Sequence, residues 1–213
     1  MFDIKVYGVK KRLPMIEKTV EKLGLSWDDV IFDDRENGGD AYYTARKAFL
    51  SALESGAEHA IILQDDIEVC NNFKEIASEI IETHPDKIIA LFPWDEYLDK
   101  MFEKYPEMVG KTPYIRNRRW VTGCGFIIPT KHIQSFIDFT DTNYRGKDYP
   151  EDSCLFTWAL RKRIPILNTV PALIQHIGDS SLIYDKNVIK RTTKYFKEKS
   201  IANWKTELVM GKQ

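Results

Sequence analysis

Residues 60 to 69 read AIILQDDIEV, and the first four are apolar without interruption. A strand exposed on one face alternates apolar with polar side chains, so an unbroken apolar run belongs to a strand covered on both faces. Such a strand needs a layer above and below it, and helices alternating with strands along the chain would supply both. The run ends in two adjacent acids, Asp65 and Asp66, where a buried strand meets its loop. Neighbouring carboxylates repel each other and lose hydration there, so the pair requires a positive partner, most often a divalent cation.

The rest of the chain supplies the helices. Ile4 to Tyr7 predicts a strand, and Pro14 opens a helical pattern of Ile16, Val20 and Leu23 that Gly24 closes in a left-handed cap. Val30 to Phe32 predicts a strand running into Asp33, Asp34 and Arg35. Asp40 is placed to cap a helix with Ala45, Ala48, Phe49 and Ala52 on one face, ended by Gly56. After the opening run, Asn71 is placed to cap a helix bearing Ile76, Ala77, Ile80 and Ile81, and Pro85 stops it before a strand from Lys87 to Phe92. Trp120 to Pro129 (WVTGCGFIIP) reads as a strand with two glycines, followed by a helix capped by Thr130. A further helix starts near Pro150, and Pro165 to Val170 leads towards His176. This alternation predicts an α/β fold with a Rossmann-like, mostly parallel central sheet flanked by helices. In open sheets of that kind ligands sit outside the carboxyl ends of the strands, where Gly8, Asp33 to Arg35 and the Asp65-Asp66 pair fall.

The 213 residues contain no linker-like or repeated stretch, so a single domain over 1–213 is expected. Net charge is −1 with 30% charged and 43% hydrophobic residues, which excludes a disordered chain and a protein built as a whole to grip polyanions. No segment reaches the roughly 18 apolar residues of a transmembrane helix, and a cytoplasmic location is expected. Cys70, Cys124 and Cys154 are odd in number and widely spaced, as suits buried free thiols. Magnesium and manganese take oxygen ligands, and manganese also accepts an imidazole, which makes His176 a candidate third ligand beside the acidic pair. Glu151 and Asp152 open a helix, where the dipole favours acids. Arg116, Arg118 and Arg119 form a basic cluster, and Lys186 to Lys199 holds six Lys/Arg against one Glu.

The order of elements, with QDDIEV ending a central strand, resembles the glycosyltransferase-A fold, whose Asp-x-Asp motif holds Mn²⁺ or Mg²⁺ against a nucleotide-sugar diphosphate. It is most similar to small phage and bacterial glycosyltransferase-like proteins, through Gln64-Asp65-Asp66 with Cys70, Glu151-Asp152, and Val170-Pro171-Ala172-Leu173 leading to His176. The resemblance runs from Ile4 to Ser181. It implies metal-dependent transfer of a sugar from a nucleoside-diphosphate sugar to an acceptor hydroxyl. Asp66 would be the direct metal ligand, with Asp65 beside it able to meet sugar or ribose hydroxyls, and His176 would complete the shell. Tyr7, Gly8, Val9 and Arg12 would border the base and diphosphate, and Asp33, Asp34 and Arg35 the base or ribose. Gly123 would let the backbone approach the sugar, and Trp94, Tyr114, Trp120 and Trp158 would offer stacking faces. Asp152 is expected as the general base, with Glu151 second. Gln64 stands where many members carry an acid, leaving fewer charges for an ion. Residues 1–92 would form the nucleotide-sugar-binding half, 93–185 the acceptor half and 186–213 a basic segment. The acceptor would be a surface glycan, a protein or a hydroxymethylated base in phage DNA, the last gripped by the arginines and basic tail. The alternatives are a metal-dependent phosphohydrolase or nucleotidyl transferase, and a non-catalytic nucleotide-sugar binder.

Overall fold

The chain alternates strands and helices in the order β1 (Phe2–Gly8), α1 (Leu13–Leu23), β2 (Val30–Phe32), α2 (Ala41–Glu54), β3 (His59–Gln64), β4 (Ile67–Val69), α3 (Phe73–Thr83), β5 (Ile88–Ala90), α4 (Asp95–Lys104), β6 (Tyr114–Asn117), β7 (Gly125–Pro129), α5 (Ile133–Tyr144), α6 (Glu151–Lys162), β8 (Ile166–Thr169) and β9 (Ile174–His176). The structure is a computed structural model and describes residues 1–35, 41–93, 95–106, 114–117, 123–144, 150–178, 192–193 and 196. Asp40, Trp94, Arg118, Arg119, Trp120 and almost all of the basic segment from 186 lie outside the described residues, as do the side chains of Tyr114 and Arg116.

Seven strands form one sheet in the order β2-β1-β3-β7-β5-β8-β6. β1, β2, β3, β5 and β8 point the same way, as the mostly parallel expectation requires, while β7 runs antiparallel between β3 and β5 and β6 runs antiparallel at the edge. β4 and β9 pair separately as an antiparallel ribbon. The apolar run at β3 has the expected cause. Ile61 and Leu63 join a core with Ile16, Val20 and Leu23 of α1 and Phe73, Ala77 and Ile80 of α3. Ala60 and Ile62 join a second core with Ala45, Ala48 and Phe49 of α2, Phe136 of α5 and Leu155 and Trp158 of α6. Both parities of the strand are therefore dry, and each large side chain so buried contributes about 1.5–3 kcal/mol.

Gly24 and Gly56 end their helices at φ 56° and 72°, the left-handed values expected of them. Three local expectations are corrected. The residue at the start of α3 is Asn72, itself left-handed at φ 56° and making no side-chain cap, rather than Asn71. Thr130 leads a single 3-10 turn, and its hydroxyl donates to the carbonyls of Ala57 and Glu58 instead of capping α5. Trp158 offers no stacking face: it is 1% exposed, edge-on to Phe136 at 5.7 Å, with its indole N–H directed to Ser135 Oγ. α4 was not foreseen, because it buries only Leu98 and Phe102 among its described side chains. Among the described residues no helix is long and apolar enough to cross a membrane.

Candidate functional site

β1 and β3 run side by side with Tyr7 opposite Gln64, so their carboxyl ends finish level. Beyond Gln64 the chain turns through Asp65 and Asp66 into β4, and the side chain of Asp65 folds back over Gly8. A Cβ on Gly8 would stand 2.1–2.3 Å from the side-chain atoms of Asp65, so the glycine is the space the carboxylate occupies. Gly8→Ala is expected to cost roughly 1–3 kcal/mol by overpacking and to displace Asp65; urea unfolding and a structure of the variant check both.

Asp65 is held at two points: Oδ2 accepts the Val9 N–H at 2.8 Å and Oδ1 accepts from Arg12 Nη1 at 2.8 Å. The 3-10 turn Lys10–Arg12 after β1 delivers that guanidinium, whose Nη1 also lies 2.8 Å from Asp66 Oδ2. Asp66 Oδ2 in turn lies 3.1 Å from Nε2 of His176. The β4–β9 ribbon makes that meeting possible, since it pairs Ile67 with His176 and is closed by the Ile177 N–H on the Asp66 carbonyl. Gly178 completes the wall, for a Cβ there would come within 2.4 Å of Asp66 Oδ2. The acidic pair thus has a positive partner within the chain: Arg12 bridges both carboxylates.

Burial is the largest influence on both acids and acts to raise each. For Asp65 it prevails, with Arg12 opposing and the Asp66 charge adding to it, so the carboxyl sits above its ordinary value. For Asp66 the hydrogen bond and charge of His176, then Arg12, overcome burial and hold it below. Among the described residues, no three His, Cys, Asp or Glu side chains are grouped to hold a metal ion. Two donors do fit one. Ligands about 2.1 Å from an octahedral ion stand about 3.0 Å apart when adjacent, close to the 3.1 Å between Asp66 Oδ2 and His176 Nε2. Asp66 Oδ1 is buried without a hydrogen-bond partner among the described residues. Asp65, by contrast, is already committed to Val9 and Arg12.

The other expected acids lie on the face of the sheet covered by α6. Glu151 and Asp152 form the first turn of α6, 2% and 6% exposed. Glu151 Oε1 accepts from the Tyr7 hydroxyl at 2.5 Å and from Gln64 Nε2 at 2.8 Å. Asp152 Oδ1 accepts the Ser153 N–H at 2.6 Å and the Ser153 hydroxyl at 3.2 Å. Gly123 closes over the group: a Cβ there would lie 2.7 Å from Glu151 Oε1, 3.0 Å from Gln64 Nε2 and 3.4 Å from Asp152 Oδ2. Burial, then the Asp152 charge, pushes Glu151 up to about 7, although the Tyr7 and Gln64 hydrogen bonds pull the other way. Burial and the Glu151 charge hold the Tyr7 phenol well above its ordinary range.

Asp33, Asp34 and Arg35 follow β2, with the Asp33 N–H on the Gly8 carbonyl at 2.8 Å. Arg35 chelates Asp33 through Nε and Nη2 at 2.9 and 2.6 Å and lies 4.1 Å from the Tyr43 ring centre. These bonds, first among the influences on Asp33, keep its carboxyl low. Asp34 turns outward to Lys47 at 2.7 Å. Tyr7 and Gln64 were the residues whose work the sequence concealed. Each was read towards the nucleotide or the ion, yet both donate to Glu151. The available signal was their shared position at the level ends of neighbouring strands.

No protein-family model matches the chain, and no curated protein matches it in sequence. Solved structures similar to it include a Bacillus anthracis protein described as a glucose-1-phosphate thymidylyltransferase, in complex with a sucrose (10% identity, TM-score 0.49, 83% of this chain and 89% of that one). They also include A197 from STIV (12%, 0.44, 84% and 86%) and the glycosyltransferase GlyE of Streptococcus pneumoniae TIGR4 (10%, 0.38, 72% and 42%). At such identities and TM-scores these likenesses carry no inference about activity.

Proposed function

We propose that the chain is a glycosyltransferase of the glycosyltransferase-A type, moving a sugar from a nucleoside-diphosphate sugar to an acceptor hydroxyl. The observation that carries this reading is the division of labour at the end of β3. Asp65 and Asp66 face a cation and an imidazole on one side, and Gln64 touches a buried acid pair on the other. Donor chemistry and acceptor chemistry need those two environments side by side.

In this reading Arg12 and the Val9 turn sit where the diphosphate arrives, and Arg12 offers it positive charge as the bond to the sugar breaks. Asp66 and His176 would hold a divalent ion, Mn²⁺ or Mg²⁺, which when bound supplies further charge to the leaving phosphates. Asp65 orients Arg12 and the β1 turn. Asp152, through Oδ2 on the Gly123 side, takes the proton of the acceptor hydroxyl. The acceptor oxygen bonds to the anomeric carbon, and the electron pair of the broken carbon–oxygen bond leaves with the nucleoside diphosphate. Glu151, with its Oε1 accepting from Tyr7 and Gln64, is the second carboxylate of the pair.

Incubating the protein with UDP-, GDP-, CMP- and TDP-sugars, with and without Mn²⁺, tests the reading through thermal stabilisation and slow donor hydrolysis. One donor class is expected to stabilise the wild type, and Asp66→Ala is expected to lose the metal-dependent part of that stabilisation. A protein stabilised by no nucleotide sugar would sink the proposal. Release of pyrophosphate from a nucleoside triphosphate and a sugar 1-phosphate would instead favour nucleotidyl transfer.

A further inference from the structure

The acidic pair ends a buried strand with a positive partner already inside the chain. Arg12 reaches it from the 3-10 turn after β1, which is closed by the Arg12 N–H on the Val9 carbonyl at 3.0 Å. Its Nη1 lies 2.8 Å from Asp65 Oδ1 and 2.8 Å from Asp66 Oδ2, while the Val9 N–H holds the other oxygen of Asp65 at 2.8 Å. The side chains of Arg12, Asp65 and Asp66 are 17%, 7% and 5% exposed, so these charges meet with little water or salt to screen them. Gln64, the residue before the pair, adds no charge. One guanidinium therefore cancels half of the negative charge that the pair would offer a divalent ion.

The contact with Asp66 falls on the oxygen that such an ion needs. Oδ2 is the atom 3.1 Å from His176 Nε2, the spacing that suits two adjacent ligands. With Nη1 at 2.8 Å from Oδ2, an ion about 2.1 Å from that oxygen would stand within about 4.9 Å of the guanidinium nitrogen. Two cations that close in a mostly buried site repel each other strongly. We propose that Arg12 is a built-in counter-cation that competes with the divalent ion for Asp66: it satisfies the acidic pair while no ion is bound, and it weakens the binding of the ion. The site keeps its shape without metal and takes metal up weakly on its own. A diphosphate offers Arg12 other oxygens and relieves the competition, a step that rests on the transferase reading, whereas the competition itself rests only on the Asp66–His176 ion site.

The test titrates the metal-free full chain with Mn²⁺ and reads the free ion by electron paramagnetic resonance. Arg12→Met removes the charge and keeps much of the volume, and it is expected to bind Mn²⁺ about tenfold more tightly than the wild type, the worth of a hydrogen bond to a charged group that the ion no longer displaces. Arg12→Lys keeps the charge and is expected to stay near the wild-type affinity. Adding Asp66→Ala to Arg12→Met is expected to abolish the gain. Thermal unfolding reads the same linkage in a variant weakened by its unpaired acids, since Mn²⁺ at one fixed concentration is expected to raise the Tm of Arg12→Met more than that of the wild type. Equal or weaker binding by Arg12→Met, a lysine variant as tight as the methionine one, a gain that survives Asp66→Ala, or no Mn²⁺ binding by any of these proteins would overturn the competition. Tighter Mn²⁺ binding by Arg12→Met in a chain that no nucleotide sugar stabilises would uphold the competition and defeat the transferase reading, so the two failures are distinguishable.

Discussion

Asp152→Asn is expected to lower sugar transfer by roughly 10²–10⁴-fold while leaving binding of the nucleotide-sugar donor intact. That range is the usual contribution of a positioned general base. Asparagine keeps the oxygen that accepts the Ser153 N–H, so the first turn of α6 is preserved, and it loses only the ability to take a proton. The donor-facing groups lie on the far side of Gln64, at Arg12, Asp65, Asp66 and His176, and keep their contacts. Calorimetric donor titration beside single-turnover transfer checks the split. Equal loss of donor binding in Asp152→Asn would mean that this carboxylate belongs to the donor site.

Glu151→Gln is expected to raise stability above neutral pH by about 3 kcal/mol and to flatten its dependence on pH. The folded protein holds the Glu151 proton until about pH 7, whereas the unfolded chain releases it near 4.5. Between those values the folded state binds more protons, so stability is full below the unfolded value and is lost as pH rises through the folded one. Each tenfold change in proton affinity is worth about 1.4 kcal/mol, which gives the figure of about 3. Glutamine reproduces the protonated acid: its carbonyl oxygen still accepts from Tyr7 and Gln64, and it carries no charge to bury. Asp66, held below its ordinary value, contributes with the opposite sign and loses its share as pH falls through its folded value. Urea unfolding of wild type and variant across the neutral range separates the two. A slope that persists in Glu151→Gln would assign the titration to another group.

The central strand was legible because coverage on both faces leaves an unbroken apolar run, and α2 because small residues recur at helical spacing against the sheet. β4 and β9 were not, since three residues such as Ile67, Glu68 and Val69 carry too short an alternation to separate a strand from a loop. That ribbon decides where His176 goes. The histidine was visible as chemistry, and its position beside Asp66 depended on pairing across more than a hundred residues. Gln64 shows the opposite limit. Read along the chain it was an acid that had been lost, because its partner lies 87 residues away on a helix that sequence periodicity could place but not orient.

The antiparallel entry of β7 has a consequence for how the protein is made. β3 and β5 are separated in sequence only by β4 and α3, yet they never touch as neighbours; β7, which begins 35 residues after β5 ends, is the slat between them. Until it arrives, a nascent chain has the β2-β1-β3 group with a bare edge at β3, and β5 has neither of its neighbours, since β8 follows β7 in the chain. Closure by β7, α6 and β9 comes late in synthesis, and it delivers the sheet, the Glu151–Asp152 pair and His176 together, so the site forms when the fold does.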